Sequence, residues 1–464
     1  MKQFLVLLCC LVGQVTLAQI SKVYIAAIDI EGNKKTKSQL IRNELNLTVG
    51  DSLPLADLMP MINKNERYLF NTGLFISTRI KIVKWEGTNV HLKVLVEEAW
   101  YIVPIPQFEL ADRNFNVWWV QQNRDLRRAN IGLWFFWRNV SGYNDLLKTV
   151  VQFGYTRKFE LDYYLPPMGR KRKFGFLVNA LYSDNKEINY TTAQNQPLFY
   201  NDYDSKERQF SRLRFSLKGY YRRRLTENHQ LGLTYLQLAI SKEVLALNTD
   251  FFGDNRHIQR SFQLQYSYTL NKRDIQIYPL QGYYIHSSLT KQGLGVFQDI
   301  NQLQWYNHWS AHIRLHPDLY WTTHLKARYN MLTNKMPYYD NRALGYEDII
   351  RGYQYYTIDG QSFGLIQSEL NFRLVNFEIP LWKKAPISYL QKMPIKLHFR
   401  YHVDVGYVWD RYYATSNPLS NSSLVATGVG LDIILYNYNV IFQIEYSVNK
   451  SGENGLYLRY KFHF

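Results

Sequence analysis

The residues with the most specific chemistry are Arg351-Gly352-Tyr353, in a long polar segment, and Asp404, inside an alternating run further on. A guanidinium and a carboxylate can lock as a bidentate, charge-assisted pair, while Gly352 lets the backbone come close and Tyr353 packs against a wall. Taken alone, Arg351 reads as a solvated loop residue and Asp404 as a counter-charge to Arg400, since surface pairs contribute little. Histidine chemistry is weaker still. His398 and His402 share a strand face but stand four apart, roughly 13 Å at ~3.3 Å per residue, too far to grip one metal ion. His402 and Asp404, about 6.6 Å apart by the same rise, could orient each other, yet no serine nucleophile is tied to them by a local signature. Neither catalysis, a metal nor a cofactor is expected.

The elements that must position these groups read as strands. From about residue 101 to 464 the pattern has period two, broken by polar, Gly, Pro, Asn and Asp turns. Phe262, Leu264, Tyr266, Tyr268 and Leu270 alternate with Gln263, Gln265, Ser267 and Thr269. The run holding Asp404 repeats this: Leu397, Phe399, Tyr401, Val403 and Val405 lie against Lys396, His398, Arg400 and His402. Period two alone does not say which face meets water, because a soluble sandwich alternates too. Length decides. A sandwich of roughly 100 residues would have to recur several times in 364 residues (464 minus 100), and no self-similar period of that size is present. A closed membrane barrel of about 16 antiparallel strands, each with its turn taking roughly 23 residues, absorbs the segment whole. Closure is forced, because each unpaired backbone group in hydrocarbon costs several kcal/mol.

Residues 22–98 have a different grammar. A strand at 23–31 ends on Gly32-Asn33, and Thr36 followed by Gln39 marks a capping box for a helix through Leu45. After the Gly50-Asp51 turn, a second helix over 55–70 carries Leu58, Ile62, Leu69 and Phe70 and ends at Gly73, with Pro60 expected to kink or delay it. Strands at 77–84 and 90–97 follow. The order is β-α-α-β-β, a small α+β domain.

Composition fits an exported, mainly β chain. Lys2 precedes an apolar run and Thr16-Leu17-Ala18, which reads as a signal peptide of residues 1–18. The two cysteines, Cys9 and Cys10, fall inside it. The chain carries 38 Tyr, 25 Phe and 11 Trp, rings that suit strands and membrane-water boundaries. A mean hydropathy of −0.34 excludes a bundle of lipid-spanning helices. The formal charge of +17 is placed on barrel rims, lumen and lipid contacts, with the runs 170–173 and 222–224 as examples, rather than on nucleic acid. The expected boundaries are 1–18 signal peptide, 19–98 N-terminal domain, 99–112 linker and 113–464 barrel.

The N-terminal pattern, with Ile30-Glu31-Gly32-Asn33 and Leu69-Phe70-Asn71-Thr72-Gly73-Leu74-Phe75, resembles a POTRA domain. Ile349-Ile350-Arg351-Gly352-Tyr353 resembles the Arg-Gly-aromatic motif on the inward loop of the BamA/TamA superfamily. Val403-Asp404-Val405-Gly406 is similar to the strand motif that holds that arginine, and Asn271-Lys272-Arg273-Asp274 with Pro279 and Gly282 to a turn between mid-barrel strands. Tyr460, Phe462 and Phe464 fit the aromatic end of the C-terminal assembly signal, with Arg459 where a Gly is usual. The resemblance implies a 16-stranded outer-membrane barrel with one periplasmic POTRA domain, inserting or translocating other outer-membrane or surface proteins. It implies as partners unfolded outer-membrane proteins, outer-membrane lipids and accessory periplasmic or lipoprotein subunits. Having one POTRA domain where the principal assembly factors carry several points to an accessory or specialised member. The first barrel strand, placed at 114–121, is expected to pair with 456–464 in a seam that opens sideways and offers an edge. The second POTRA strand, at 79–84, offers another edge. A passive pore and a barrel-embedded hydrolase are the alternatives.

Overall fold

The structure, a computed structural model, describes residues 22–462 apart from 168–172, 204–206, 225, 333, 381–391 and 436–439. The signal-peptide reading, Phe464 and most of the basic run 170–173 lie outside the described residues. Two compact units are present, one containing residues 22–103 and 136–147, the other the barrel strands.

The first unit runs β1 (Lys22–Glu31), α1 (Ser38–Glu44), β2 (Ser52–Pro54), α2 (Leu55–Asn71), β3 (Phe75–Glu86) and β4 (Asn89–Glu98). Its sheet order is β2-β1-β4-β3, with β1 and β4 parallel. Val90, Leu92, Val94 and Val96 alternate onto the buried face of β4 and meet Leu40, Ile41, Leu58, Ile62 and Leu69 from the helices. A three-residue strand, β2, lies between the helices where the sequence indicated only a turn. The capping box does not form. Lys37 precedes α1 without a side-chain cap, because the Thr36 hydroxyl is engaged with the Tyr101 hydroxyl at 3.0 Å and accepts from Asn139 Nδ2. Pro60 sits in the second turn of α2 without ending it. β3 lies at the sheet edge.

The second unit is a 16-stranded antiparallel β-barrel sheet. Its first strands are β5 (Ile102–Leu110), β6 (Ala129–Arg138), β7 (Leu146–Gly154), β8 (Thr156–Leu165) and β9 (Phe174–Asn185). A hairpin of β10 (Glu187–Ala193) and β11 (Gln196–Asn201) stands apart from the sheet. Then come β12 (Phe210–Arg224), β13 (Glu227–Ile240), α3 (Lys242–Leu247), β14 (Ile258–Asn271), β15 (Gly282–Gln292), β16 (Gln302–His316) and β17 (Leu319–Asn330). The loop 331–361 contains the small pair β18 (Arg342–Leu344) and β19 (Ile358–Asp359). The wall closes with β20 (Ser362–Pro380), β21 (Lys392–Trp409), β22 (Ser423–Leu435), β23 (Val440–Asn449) and β24 (Asn454–Phe462). Sheet order runs from β24 back to β5, neighbour by neighbour.

Burial decides what period two left open. On β21, His398, Arg400, His402 and Asp404 are buried while Phe399, Tyr401 and Val405 are exposed. On β23, Gln443, Glu445 and Ser447 are buried while Phe442, Ile444 and Tyr446 are exposed. Polar residues face in and apolar ones out, the reverse of a water-soluble sheet and the arrangement lipid requires.

Two boundaries move. The segment read as a linker contains β5, and residues 114–121, read as the first strand, form a single helical turn at Val117–Gln121. Pro104 and Pro106 obscured β5, since a strand with two residues lacking N–H groups is tolerated only at an edge. Asn114 obscured the turn: its Oδ1 accepts from Val117 N at 2.9 Å and caps it, overriding the β preference of Val117-Trp118-Trp119-Val120.

Candidate functional site

The loop 331–361 folds against the barrel's inner wall. Leu344, Ile350, Tyr353 and Ile358 bury themselves against Phe363, Leu365, Val408, Leu424 and Ala426. Apolar packing delivers Arg351 to a fixed place. Its Nε and Nη2 donate to Asp404 Oδ1 at 2.9 and 2.5 Å, and its backbone N–H donates to Asp404 Oδ2 at 2.9 Å. Gln367 Nε2 supports the same carboxylate at 2.7 Å and also reaches the Ile349 carbonyl. Arg351 is 4% exposed and Asp404 0%, so the pair lies in a low-dielectric site where geometry and full hydrogen bonding must offset desolvation.

Neighbouring residues make that approach possible. Gly352 has φ +80°, and a Cβ there would stand 2.7 Å from Ala426 Cβ, so both conformation and space call for glycine. Its carbonyl accepts from Asn449 Nδ2. Tyr353 is buried, with its hydroxyl 3.4 Å from the Val425 carbonyl. Ile350 and Leu344 lie over Gly406 on the wall.

The pair belongs to a larger network. Arg351 Nη1 donates to Glu369 Oε2 at 2.7 Å, and Arg400 Nη1 stands 3.7 Å from the same oxygen. Arg400 Nη2 reaches Asp432 at 3.3 Å and Glu445 at 3.0 Å. Arg459, on the last strand, completes the chain by donating to Glu445 at 2.5 Å. Carboxylates and guanidiniums alternate from loop to last strand. The network borders a cavity of about 280 Å³.

The turn motif closes this cavity from the side. Asp274 Oδ1 accepts from Ile275 N and Leu280 N, Asp274 N donates to the Gln281 carbonyl, and the Arg273 guanidinium stacks on Tyr284 at 4.5 Å. Gly282, with φ +99°, begins β15. The stapled turn presents Tyr278, whose hydroxyl donates to Asp432 Oδ2 at 2.9 Å, and Pro279, which lines the cavity. The motif thus joins the latch through Tyr278, a residue that alternation did not single out. Glu369, Asp432 and Glu445 were equally hidden, as ordinary polar positions of alternating strands. Tyr460 is exposed at the end of β24, and Phe462 closes that strand.

The seam is where β5 and β24 end the sheet order. Asn116, inside the stretch read as the first strand, reaches β24 with its side chain. Its Nδ2 donates to the Leu456 carbonyl at 2.6 Å and its Oδ1 accepts from Leu458 N at 2.9 Å.

The enzyme alternative gains a serine that the sequence did not indicate. Ser447 Oγ lies 3.2 Å from His402 Nε2. A triad would need a carboxylate on His402 Nδ1, which has no partner among the described residues, and Asp404 is committed to Arg351.

Comparisons with known proteins agree with this fold. Residues 23–99 match a POTRA model described as a surface antigen variable number repeat. BamA from Haemophilus ducreyi lacking POTRA domains 1–3 is similar in fold, with TM-score 0.64 and 14% identity, over 94% of this chain and 84% of that one. CdiB from Acinetobacter baumannii gives TM-score 0.50 and 14% identity over 95% and 74%, and CdiB from Escherichia coli 0.50 and 11% over 95% and 90%. No curated protein matches the sequence. The Omp85 superfamily domain model matches residues 139–464, well over half the chain, and the chain therefore belongs to the Omp85 superfamily.

Proposed function

We propose that this protein is an outer-membrane barrel that inserts or translocates other outer-membrane or surface proteins, using the edge at the seam between β5 and β24 as a template for incoming strands. Membership in the Omp85 superfamily supports the general role, and the POTRA-type unit, held in the periplasm, supports a reception step for unfolded chains, with the edge strand β3 available for augmentation.

The seam itself carries the finer reading. β5 contains Pro104 and Pro106, two positions that cannot donate to a ladder, and the β24 backbone at Leu456–Leu458 is met by a side-chain amide. Among the described residues β5 and β24 end the sheet order without a ladder between them, so a junction held by side chains costs less to part than a paired one. A released edge presents unpaired N–H and C=O groups that a client strand can satisfy. Loop 331–361, packed against the inner wall, favours this reading over a passive pore.

The test is an engineered cysteine pair joining β5 and β24. Insertion of client barrels should stop when the pair is oxidised and resume on reduction. Undiminished activity in the locked protein would exclude seam templating. Depletion with quantitative outer-membrane proteomics then separates roles: loss of many barrels indicates general assembly, loss of one surface protein a dedicated transporter.

A further inference from the structure

The segment that joins β5 to β6 is bonded to two parts of the barrel that have no sequence proximity to each other. Asn116 holds one carbonyl and one N–H of β24 two residues apart, the spacing at which an edge strand presents its unpaired groups. A single primary amide, one donor and one acceptor, does there what a neighbouring backbone would do.

Three residues earlier, Arg113 reaches the inward loop. Its Nη1 donates to the carbonyls of Gly345 at 2.9 Å and Tyr356 at 2.7 Å, and its Nη2 to that of Tyr355 at 3.2 Å. Asn114 Nδ2 adds the Gln354 carbonyl at 3.1 Å, and Gln121 Nε2 the Tyr355 carbonyl. All of those acceptors but Gly345 directly follow Arg351-Gly352-Tyr353.

The segment is itself held in place. Asp112 and Glu187 bind the buried Arg128, and Ala111 N donates to the Arg128 carbonyl. The Trp118 indole N–H donates to the Asp125 carbonyl at 3.0 Å. Trp119 and Val120 remain exposed, apolar groups suited to a membrane boundary.

We infer that residues 111–121 form a clasp which closes the edge of β24 and ties its release to the inward loop, with Asn116 as the bolt and Arg113 as the link. The inference rests on the seam reading above and adds its regulation. Movement of residues 345–356 strips carbonyl partners from the half-buried Arg113 guanidinium, so the clasp and the loop leave their positions together. An incoming strand competes with one amide rather than with a paired strand.

The experiment is hydrogen-deuterium exchange on the full-length protein in vesicles of phosphatidylethanolamine and phosphatidylglycerol, with heat-modifiable mobility as the check that the barrel is folded. Asn116→Ala, which removes both bonds, should speed exchange of the peptide Asn454–Phe462 by at least the roughly fivefold to tenfold expected for losing one net hydrogen bond, and Asn116→Asp, which keeps the acceptor for Leu458 N, should speed it less. Exchange in β21 and β22 should not change. Arg113→Gln should speed exchange both in residues 345–356 and in that same β24 peptide. Unchanged β24 exchange in folded Asn116→Ala, or acceleration spread evenly over all strands, would overturn the clasp. Faster β24 exchange together with wild-type client insertion would uphold the clasp while removing seam templating, so the two readings fail separately.

Discussion

Arg459 on the last strand is joined to Glu445 on the strand before it at 2.5 Å, and Glu445 also receives Arg400 at 3.0 Å. One carboxylate therefore serves two guanidiniums from different strands. Because Arg400 also faces Glu369, which Arg351 uses, the last strand and the inward loop share one electrostatic system. Removing a shared node leaves more charge uncompensated than removing an end. Glu445→Gln should accordingly destabilise the folded barrel more than Arg459→Gln, by roughly 3–5 kcal/mol against a smaller loss. Urea midpoints of the heat-modifiable transition measure this, and an equal effect of the two substitutions would contradict the shared node.

Arg351 and Asp404 fasten the loop, not the wall. Arg351→Ala or Asp404→Ala leaves a buried charge without its partner, which should loosen the loop by roughly 3–5 kcal/mol and lower activity while most of the barrel stays folded. The double variant should lose less than the sum, since neither charge is then stranded. Limited proteolysis within residues 340–358 reads the loop directly. Equal function and equal protease resistance in both single variants would count against the latch.

Tyr278 connects the turn motif to the same network through one hydroxyl. Tyr278→Phe keeps the ring beside His398, 5.1 Å away, and removes only the bonds to Asp432 and Asn371. Leaving Asp432 short of a donor should cost about 1–3 kcal/mol of barrel stability. Asp274→Ala, which unstaples the turn, should produce a similar loss by withdrawing the hydroxyl. If Tyr278→Phe alone is neutral in the same urea experiment, the turn contributes packing only.

Much of the wall was legible because period two is a backbone property that survives in any environment, as in Phe399 and Tyr401 against Arg400 and His402. Its orientation was not legible in the alternation itself, since the same pattern suits water or lipid outside; the barrel reading and its 16-strand count needed length arithmetic. Arg351 and Asp404 were visible through a resemblance, not through spacing, because 53 residues of chain separate them and only the packed loop brings them together. The first strand was misplaced for a physical reason: Pro104 and Pro106 look like breakers, whereas Val117-Trp118-Trp119-Val120 look like a strand until Asn114 caps the turn. Thr36 was misassigned similarly, its hydroxyl being taken by Tyr101 instead of a helix end. Glu369, Asp432 and Glu445 carry no local mark at all. Their role exists only once four strands stand side by side.

In the N-terminal unit, Glu98 supplies an acid-sensitive fastening. Its carboxylate accepts from Lys35 N at 3.0 Å and from Thr36 N at 2.6 Å, holding residues 35–36 to the end of β4. Burial alone would raise its pKa, but these N–H groups and the Thr36 hydroxyl outweigh that and keep it below the ordinary value of 4.5. A depressed carboxylate contributes stability that is complete above the unfolded pKa and is lost as pH falls through the folded one. Exchange of the amides at Lys35 and Thr36 should therefore stay slow, after correction for intrinsic rates, above the ordinary value of 4.5, then accelerate as pH falls below it toward the lowered folded value. Glu98→Gln should show the faster, pH-independent opening throughout, because a neutral amide offers one weaker acceptor and does not titrate. A wild-type profile that remains flat to pH 3, or a Glu98→Gln profile that still bends, would show that another group fastens this segment.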